Sequence, residues 1–167
     1  SPQVWASREN RIKCIKKFIS KIIVLFKFEE EFYKQRLIQA FYVGHPLIDI
    51  VKPTMSKAEI INNFGFSPDK KTIALLPGSR KGEIKLILPL MLKAAQLINE
   101  KIPNTQFVIA KSPVLDLQIY SQACKGLNLD LKIIDGRTYD CLEIADASLV
   151  CSGTATLEAA IIGKPFV

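Results

Sequence analysis

Apolar and polar positions change rhythm several times along the chain, and each change marks an element. Ile12, Ile15, Ile19 and Ile22 recur at spacings of three and four with basic residues between them, which predicts a helix over 7–21. Ile22-Ile23-Val24-Leu25-Phe26 is a continuous β-branched and aromatic run, the pattern of a strand buried on both faces. Glu29-Glu30-Glu31 then opens a short helix through about 37, with acids at the favourable end of its dipole. Phe41-Tyr42-Val43 reads as a second short strand, and Gly44-His45-Pro46 punctuates the chain.

Residues 46–71 carry Pro46, Pro53, Gly65 and Pro68 around one helix near 56–63. A regular alternation follows: strand 72–76, helix 83–100, strand 106–110, helix 114–125, strand 131–134, helix 138–145, strand 147–151, helix 155–162, and the start of a strand at 166–167. Strands alternating with helices of this length imply right-handed βαβ crossovers and a parallel sheet. The expected boundary lies at 44–54. Residues 1–43 would finish one α/β domain, 44–54 would be a hinge, and 55–167 would form most of a second domain. Both ends read as cut, Ser1 leading into a helix without a methionine and Val167 falling inside a nascent strand, so the chain is expected to be an internal piece of a longer protein.

In open α/β sheets ligands bind beyond the carboxyl ends of the strands. Two turns sit at such ends. Leu75-Leu76-Pro77-Gly78-Ser79-Arg80 joins a strand to a helix, a layout that offers helix N-terminal N–H groups to an anion, and Arg80 adds a planar fork of donors suited to phosphate. Cys151-Ser152-Gly153-Thr154-Ala155-Thr156-Leu157-Glu158 repeats the layout with three hydroxyls around one glycine. A tight turn with a solvated arginine accounts equally for the first, and an N-cap for the second. Glu158 is either a charge set against the helix dipole or an acceptor for ribose hydroxyls. No Lys-Ser/Thr follows the glycines and no G-x-G-x-x-G occurs, so neither a P-loop nor a dinucleotide fingerprint is present.

Composition narrows the classes. With 49% hydrophobic and 23% charged residues the chain is globular, not disordered. Its net charge of +7 is concentrated: Arg8, Arg11, Lys13, Lys16, Lys17, Lys21 and Lys27 face only Glu9 within the first 27 residues. That stretch suits an anionic surface, with surface attachment expected and not insertion. Nucleic acid is not expected, because no aromatic side chains interleave with the charge. Cys14, Cys124, Cys141 and Cys151 form no C-x-x-C pair and His45 is the only histidine, so no metal site is expected. Scattered cysteines of this kind are expected to be reduced and buried, as in cytoplasmic proteins. His45, before a proline in a turn, reads as structural. No apolar run approaches the roughly 18 residues of a membrane span, and the chain shows no signal-peptide pattern, with the true N-terminus expected ahead of Ser1.

Taken together, Ser1-Pro2-Gln3-Val4-Trp5, Phe28-Glu29-Glu30-Glu31-Phe32-Tyr33, Val43-Gly44-His45-Pro46-Leu47, Leu75-Leu76-Pro77-Gly78-Ser79-Arg80, Glu83-Ile84 and Ser152-Gly153-Thr154-Ala155-Thr156-Leu157-Glu158 follow one another in an order and spacing that resemble the lipid-A-disaccharide synthase family of Gram-negative bacteria. The resemblance covers the whole chain. It implies an α/β fold of GT-B type: the end of an N-terminal Rossmann-like domain on the acceptor side, plus most of a C-terminal, nucleotide-binding Rossmann-like domain with a parallel sheet. The implied reaction transfers 2,3-diacylglucosamine from its UDP donor to 2,3-diacylglucosamine 1-phosphate, with release of UDP, on the path to lipid A. Neither metal nor other cofactor is implied, since helix dipoles and basic side chains stabilise the leaving diphosphate. The implied location is cytoplasmic, peripheral at the inner membrane.

Residue by residue, the resemblance places Gly78, Ser79 and Arg80 at the diphosphate and Ser152, Gly153, Thr154, Thr156 and Glu158 at the nucleotide end of the cleft. Ser1, Pro2, Gln3 and Trp5 fall on the acceptor-side wall. Ser7 stands where the family has a second tryptophan, after Trp5-Ala6. No catalytic residue is assigned; the family's general base is expected ahead of Ser1 and the rest of its nucleotide pocket beyond Val167, so the segment alone is expected to be inactive. Another UDP-sugar enzyme of the same fold, an N-acetylglucosamine epimerase or transferase, and a degenerate fragment that only binds UDP remain alternatives.

Overall fold

The computed structural model describes residues 3–167, and contacts within it divide the chain into two compact units at Ile50 and Val51.

In the first unit, helix Arg11–Phe18 (α1) leads to strand Ile22–Val24 (β1), helix Lys27–Lys34 (α2), strand Ala40–Tyr42 (β2) and a single turn, Leu47–Ile50 (α3). The two strands pair in parallel, Ile22 opposite Ala40. Val4, Ile15, Ile22, Val24, Tyr33, Ile38 and Ala40 make its core. Helix α1 is shorter than the isoleucine spacing predicts. Arg8 takes a positive φ of 64° that a helix cannot contain, and Ile19 is already extended. Strand β1 also stops two residues early, for a specific reason: the N–H groups of Leu25 and Phe26 donate to the Glu29 carboxylate at 3.1 and 3.2 Å instead of continuing the ladder. Glu29 is therefore not a solvated dipole charge but a buried acceptor, which also takes the Trp5 indole N–H at 3.1 Å.

The second unit runs through helix Lys57–Phe64 (α4), strand Lys71–Leu76 (β3), helix Lys81–Lys101 (α5), strand Thr105–Lys111 (β4), helix Leu117–Cys124 (α6), strand Leu131–Asp135 (β5), helix Thr138–Ile144 (α7), strand Ala147–Val150 (β6) and helix Thr154–Ile162 (α8). All four strands are parallel, in the order β5-β4-β3-β6. Phe166 adds a parallel bridge beside Ser148. Counted within the unit this is third, second, first, fourth, so the chain reverses direction across the sheet between β3 and β6, which makes a topological switch point there.

Alternate residues of the strands serve opposite faces. Ala74, Leu76, Val108 and Ala110 join Ile60, Phe66, Leu142 and Ala159 on one side, while Leu75, Phe107 and Ile109 join Ile84, Leu88, Leu92 and Tyr120 on the other. Central strand β4 is buried along its whole length, and its polar ends are satisfied: Gln106 bonds Ser67 and Thr72, and Lys111 pairs with Asp135 at 2.9 Å. Helix α6 starts at Leu117, not 114, because the Asp116 carboxylate accepts from Gln118 N–H at 2.8 Å and caps it there. Of the four free thiols only Cys141 is buried; Cys14 is exposed, so the expectation of uniformly buried cysteines fails.

Candidate nucleotide-binding site

The register Leu76 opposite Val150 brings the ends of β3 and β6 side by side at the switch point. The turns that follow them, 75 residues apart in sequence, therefore become neighbours. They enclose a cavity of about 410 Å³ lined by Gly78, Ser79, Arg80 and Glu83 from the first turn and by Cys151, Ser152, Gly153, Thr154, Ala155 and Glu158 from the second. Leu76, Ala110, Ser112, Pro113 and Thr138 complete it. A parallel sheet of this order explains the convergence: every strand points its carboxyl end at the same edge, and the reversal leaves a crevice there.

Two glycines are required by the backbone. Gly78 has φ +106°, and a Cβ there would lie 2.6 Å from Glu83 Oε2. Gly153, at φ +151°, precedes the first residue of α8.

The first turn differs from expectation in one respect. Its N–H groups are not free. Ser79 and Arg80 both donate backbone N–H to Glu83 Oε2 at 3.2 Å, and the Arg80 guanidinium bonds Glu83 Oε1. The guanidinium, with the two N–H groups, holds the Glu83 carboxyl below the usual carboxylate range despite the opposing effect of desolvation. A carboxylate three positions into a helix reaching back to the preceding N–H groups is the reciprocal half of a capping box, so the chain supplies its own anion at this seat. Arg80 is otherwise highly exposed, its side chain 81% accessible, and free to turn to another oxyanion.

In the second turn Ser152, Gly153 and Thr154 line the cavity, whereas Thr156 does not: its hydroxyl donates to Gly153 O at 2.7 Å. Glu158 stands in the second turn of α8, because the helix begins at Thr154 with no acid in its first turn. A dipole charge acts within the first turn, so that explanation loses its footing and Glu158 is left as a half-buried carboxylate on a cavity wall. Tyr139 O–H donates to its Oε1 at 3.3 Å. Burial, then the charge of Glu158 and this bond, push the Tyr139 phenol above its ordinary value and keep it protonated.

A second cavity of about 630 Å³ adjoins the first across Pro113, Thr138 and Glu158, with Thr54, Asp135, Gly136, Arg137, Tyr139 and Asp140 around it. Its floor is organised by Asp140, which is 1% exposed. Asp140 accepts from Thr54 N–H at 2.6 Å, Thr54 O–H at 2.7 Å, Met55 N–H at 3.2 Å and Arg137 Nη1 at 3.3 Å. Burial opposes its ionisation, but these donors outweigh burial and hold its carboxyl below the ordinary value.

Glu83 belongs to the Glu83-Ile84 motif but is given no role there, and the motifs do not single out Tyr139, Asp140, Ser112 and Thr138, which also line these cavities. The last two follow from the switch-point rule, since they stand at or near the carboxyl ends of β4 and β5. The residues expected on the acceptor side lie in the other unit. Gln3 is exposed, and Trp5, 41% exposed, packs edge-on against Phe28 with ring centroids 5.0 Å apart. Ser1 and Pro2 lie outside the described residues. His45 accepts from Leu47 N–H through Nδ1 at 3.2 Å, a turn-closing role.

Two successive α/β units with parallel sheets, the second with a crevice at its switch point, define the GT-B class of fold. The wall teichoic acid polymerase TagF shares it, with a TM-score of 0.52 at 12% identity over 95% of this chain and 40% of that one. The family model for lipid-A-disaccharide synthetase matches residues 1–167, and the chain belongs to that family. It is 44% identical to the lipid-A-disaccharide synthase of Syntrophus aciditrophicus, 38% to that of Geobacter sulfurreducens and 41% to that of Nitrosococcus oceani, in each case over all of this chain. It spans 43–44% of the length of these relatives.

Proposed function

We propose that this chain supplies the nucleotide-binding part of a glycosyltransferase that moves 2,3-diacylglucosamine from its UDP donor to 2,3-diacylglucosamine 1-phosphate and releases UDP. The observation that carries this reading is the meeting of the 78–80 and 152–154 turns around one cavity at the switch point of a lipid-A-disaccharide synthetase family member. The diphosphate sits over the first turn, where it replaces Glu83 as the partner of Arg80 and of the Ser79 and Arg80 N–H groups. Those donors then face the charge that grows on the departing UDP, which is where preorganised donors lower a barrier. Ser152 and Thr154 offer hydroxyls on the opposite wall, and Glu158 accepts from the ribose. Gln3 and Trp5 belong to the acceptor side, and 44–54 connects the two domains.

The acyl chains of both substrates require the protein to work at a bilayer. Among the described residues no helix is long and apolar enough to cross a membrane. Lys16 and Lys17 in the last turn of α1 and the exposed Phe18 and Ile19 beside them supply a basic, partly apolar edge for an anionic leaflet at the inner membrane's cytoplasmic face.

The test uses the full-length protein with both acylated sugars. It should yield the disaccharide and UDP, and UDP should protect Cys151, on the cavity wall, from alkylation. Turnover of unacylated UDP-N-acetylglucosamine in preference to the acylated donor would replace this reading with that of another UDP-sugar enzyme.

A further inference from the structure

Glu158 and Tyr139 meet where the two cavities join. Tyr139 is in the first turn of α7 and Glu158 in the second turn of α8, and the two helices pack together. The Tyr139 hydroxyl has one proton to give, and it gives it to Glu158 Oε1 at 3.3 Å. A carboxylate has two oxygens and about four lone-pair sites. The phenol therefore fixes one oxygen and leaves Oε2 with no donor among the described residues, on a side chain that lines both cavities.

Resting on the reading that this cavity holds UDP, we propose that Tyr139 is a positioning residue: it holds the Glu158 carboxylate to accept from the vicinal ribose hydroxyls, and so sets selectivity for a ribonucleotide over its 2′-deoxy counterpart. The chemistry is matched. A cis-diol presents two O–H donors to a group that only accepts, and a 2′-deoxyribose presents one fewer. An unanchored carboxylate swings to solvent and loses the second bond first, so the anchor acts on discrimination more than on binding at large. The competing role for Tyr139 is packing of α7 on α8, which would serve both nucleotides alike.

The experiment is titration calorimetry of the full-length protein with UDP and with 2′-deoxy-UDP, for the unsubstituted chain, Tyr139→Phe, Glu158→Gln and the double variant. The unsubstituted protein should prefer UDP. Tyr139→Phe should lower UDP affinity about fivefold to tenfold and 2′-deoxy-UDP affinity less than about twofold. In the Glu158→Gln background Tyr139→Phe should change neither. Equal weakening for both nucleotides, or losses that add in the double variant, would overturn the proposal and leave packing as the role. Should the thermal midpoint of Tyr139→Phe fall, the ratio of the two affinities below the transition still decides. Failure of the unsubstituted protein to bind UDP would overturn the nucleotide reading and this inference with it, whereas UDP binding with an unchanged ratio in Tyr139→Phe overturns the inference alone.

Discussion

Asp140→Asn is expected to destabilise the second unit in a pH-dependent way whose sign is fixed by the structure. The asparagine keeps the shape and one carbonyl oxygen, which still accepts from the N–H groups of Thr54 and Met55. It loses the charge and the second acceptor, which face the Thr54 hydroxyl and Arg137. Losing a charge-assisted bond at a side chain buried to this degree costs about 1.5–3 kcal/mol. Asp140→Ala strands the two backbone N–H groups as well, and its cost rises to about 3–5 kcal/mol. Because the folded-state value of Asp140 lies below the ordinary carboxylate value, its contribution is complete above an unfolded value of about 4 and is lost as pH falls through the folded one. Urea denaturation followed by circular dichroism at pH 7, 5 and 3 measures this. The gap between wild type and Asp140→Asn should be wide and similar at pH 7 and 5, and should close toward pH 3. Equal midpoints at pH 7, or a gap that persists undiminished at pH 3, would refute the assignment of Asp140 as an ionised hub.

Arg80→Ala should weaken UDP binding about tenfold to a hundredfold, and if its target is the leaving diphosphate, kcat should fall along with the rise in KM; calorimetry and steady-state kinetics separate the two. Gly78→Ala should destabilise the protein by roughly 1–3 kcal/mol through its positive φ alone, and should also drive Glu83 from its seat, which a thermal melt and loss of UDP binding would register together. Sedimentation of the full-length protein with vesicles should show binding to anionic but not neutral lipid, falling as salt shortens the Debye length; binding indifferent to both would remove the electrostatic role of α1.

Much of the second unit was legible because its signals are local and repeated. Each strand is an apolar run closed by glycine, proline or a polar turn, and β3 and β6 differ from their predicted bounds by one residue at one end. The two turns were legible as a pair because βαβ alternation puts every strand's carboxyl end at one edge. What remained hidden depends on partners distant in sequence. Gln106 and Lys111 look like strand boundaries by polarity, yet both are buried in β4 because Ser67, Thr72 and Asp135 satisfy them. Asp140 reads as a helix-surface acid until Thr54, 86 residues earlier, is placed over it. Glu29 reads as one of three equivalent acids until the N–H groups of Leu25 and Phe26 and the Trp5 indole single it out. Four-residue α3 offers too few positions for any period to show.

The charges around the cavity argue that ligand binding at this site is an exchange and not an addition. Arg80 is a cation lining it, and Glu83 and Glu158 are carboxylates lining it. With Glu83 seated on the first turn, the guanidinium and two N–H groups are already neutralised, and the Gly78 backbone leaves the space that the carboxylate needs. A diphosphate brings more negative charge and more acceptor oxygens to the same donors than one carboxylate does, so on the proposed reading it takes the seat when present. When it leaves, Glu83 lies within the same helical turn to take its place, and the N–H groups of Ser79 and Arg80 regain an acceptor. The second turn is built the other way. Thr156 closes its hydroxyl on Gly153, and Tyr139 fixes one oxygen of Glu158, so little there has to be displaced. Under the proposed function, one turn would trade partners with the part of the nucleotide that changes charge during the reaction, while the other would stay set for the part that does not.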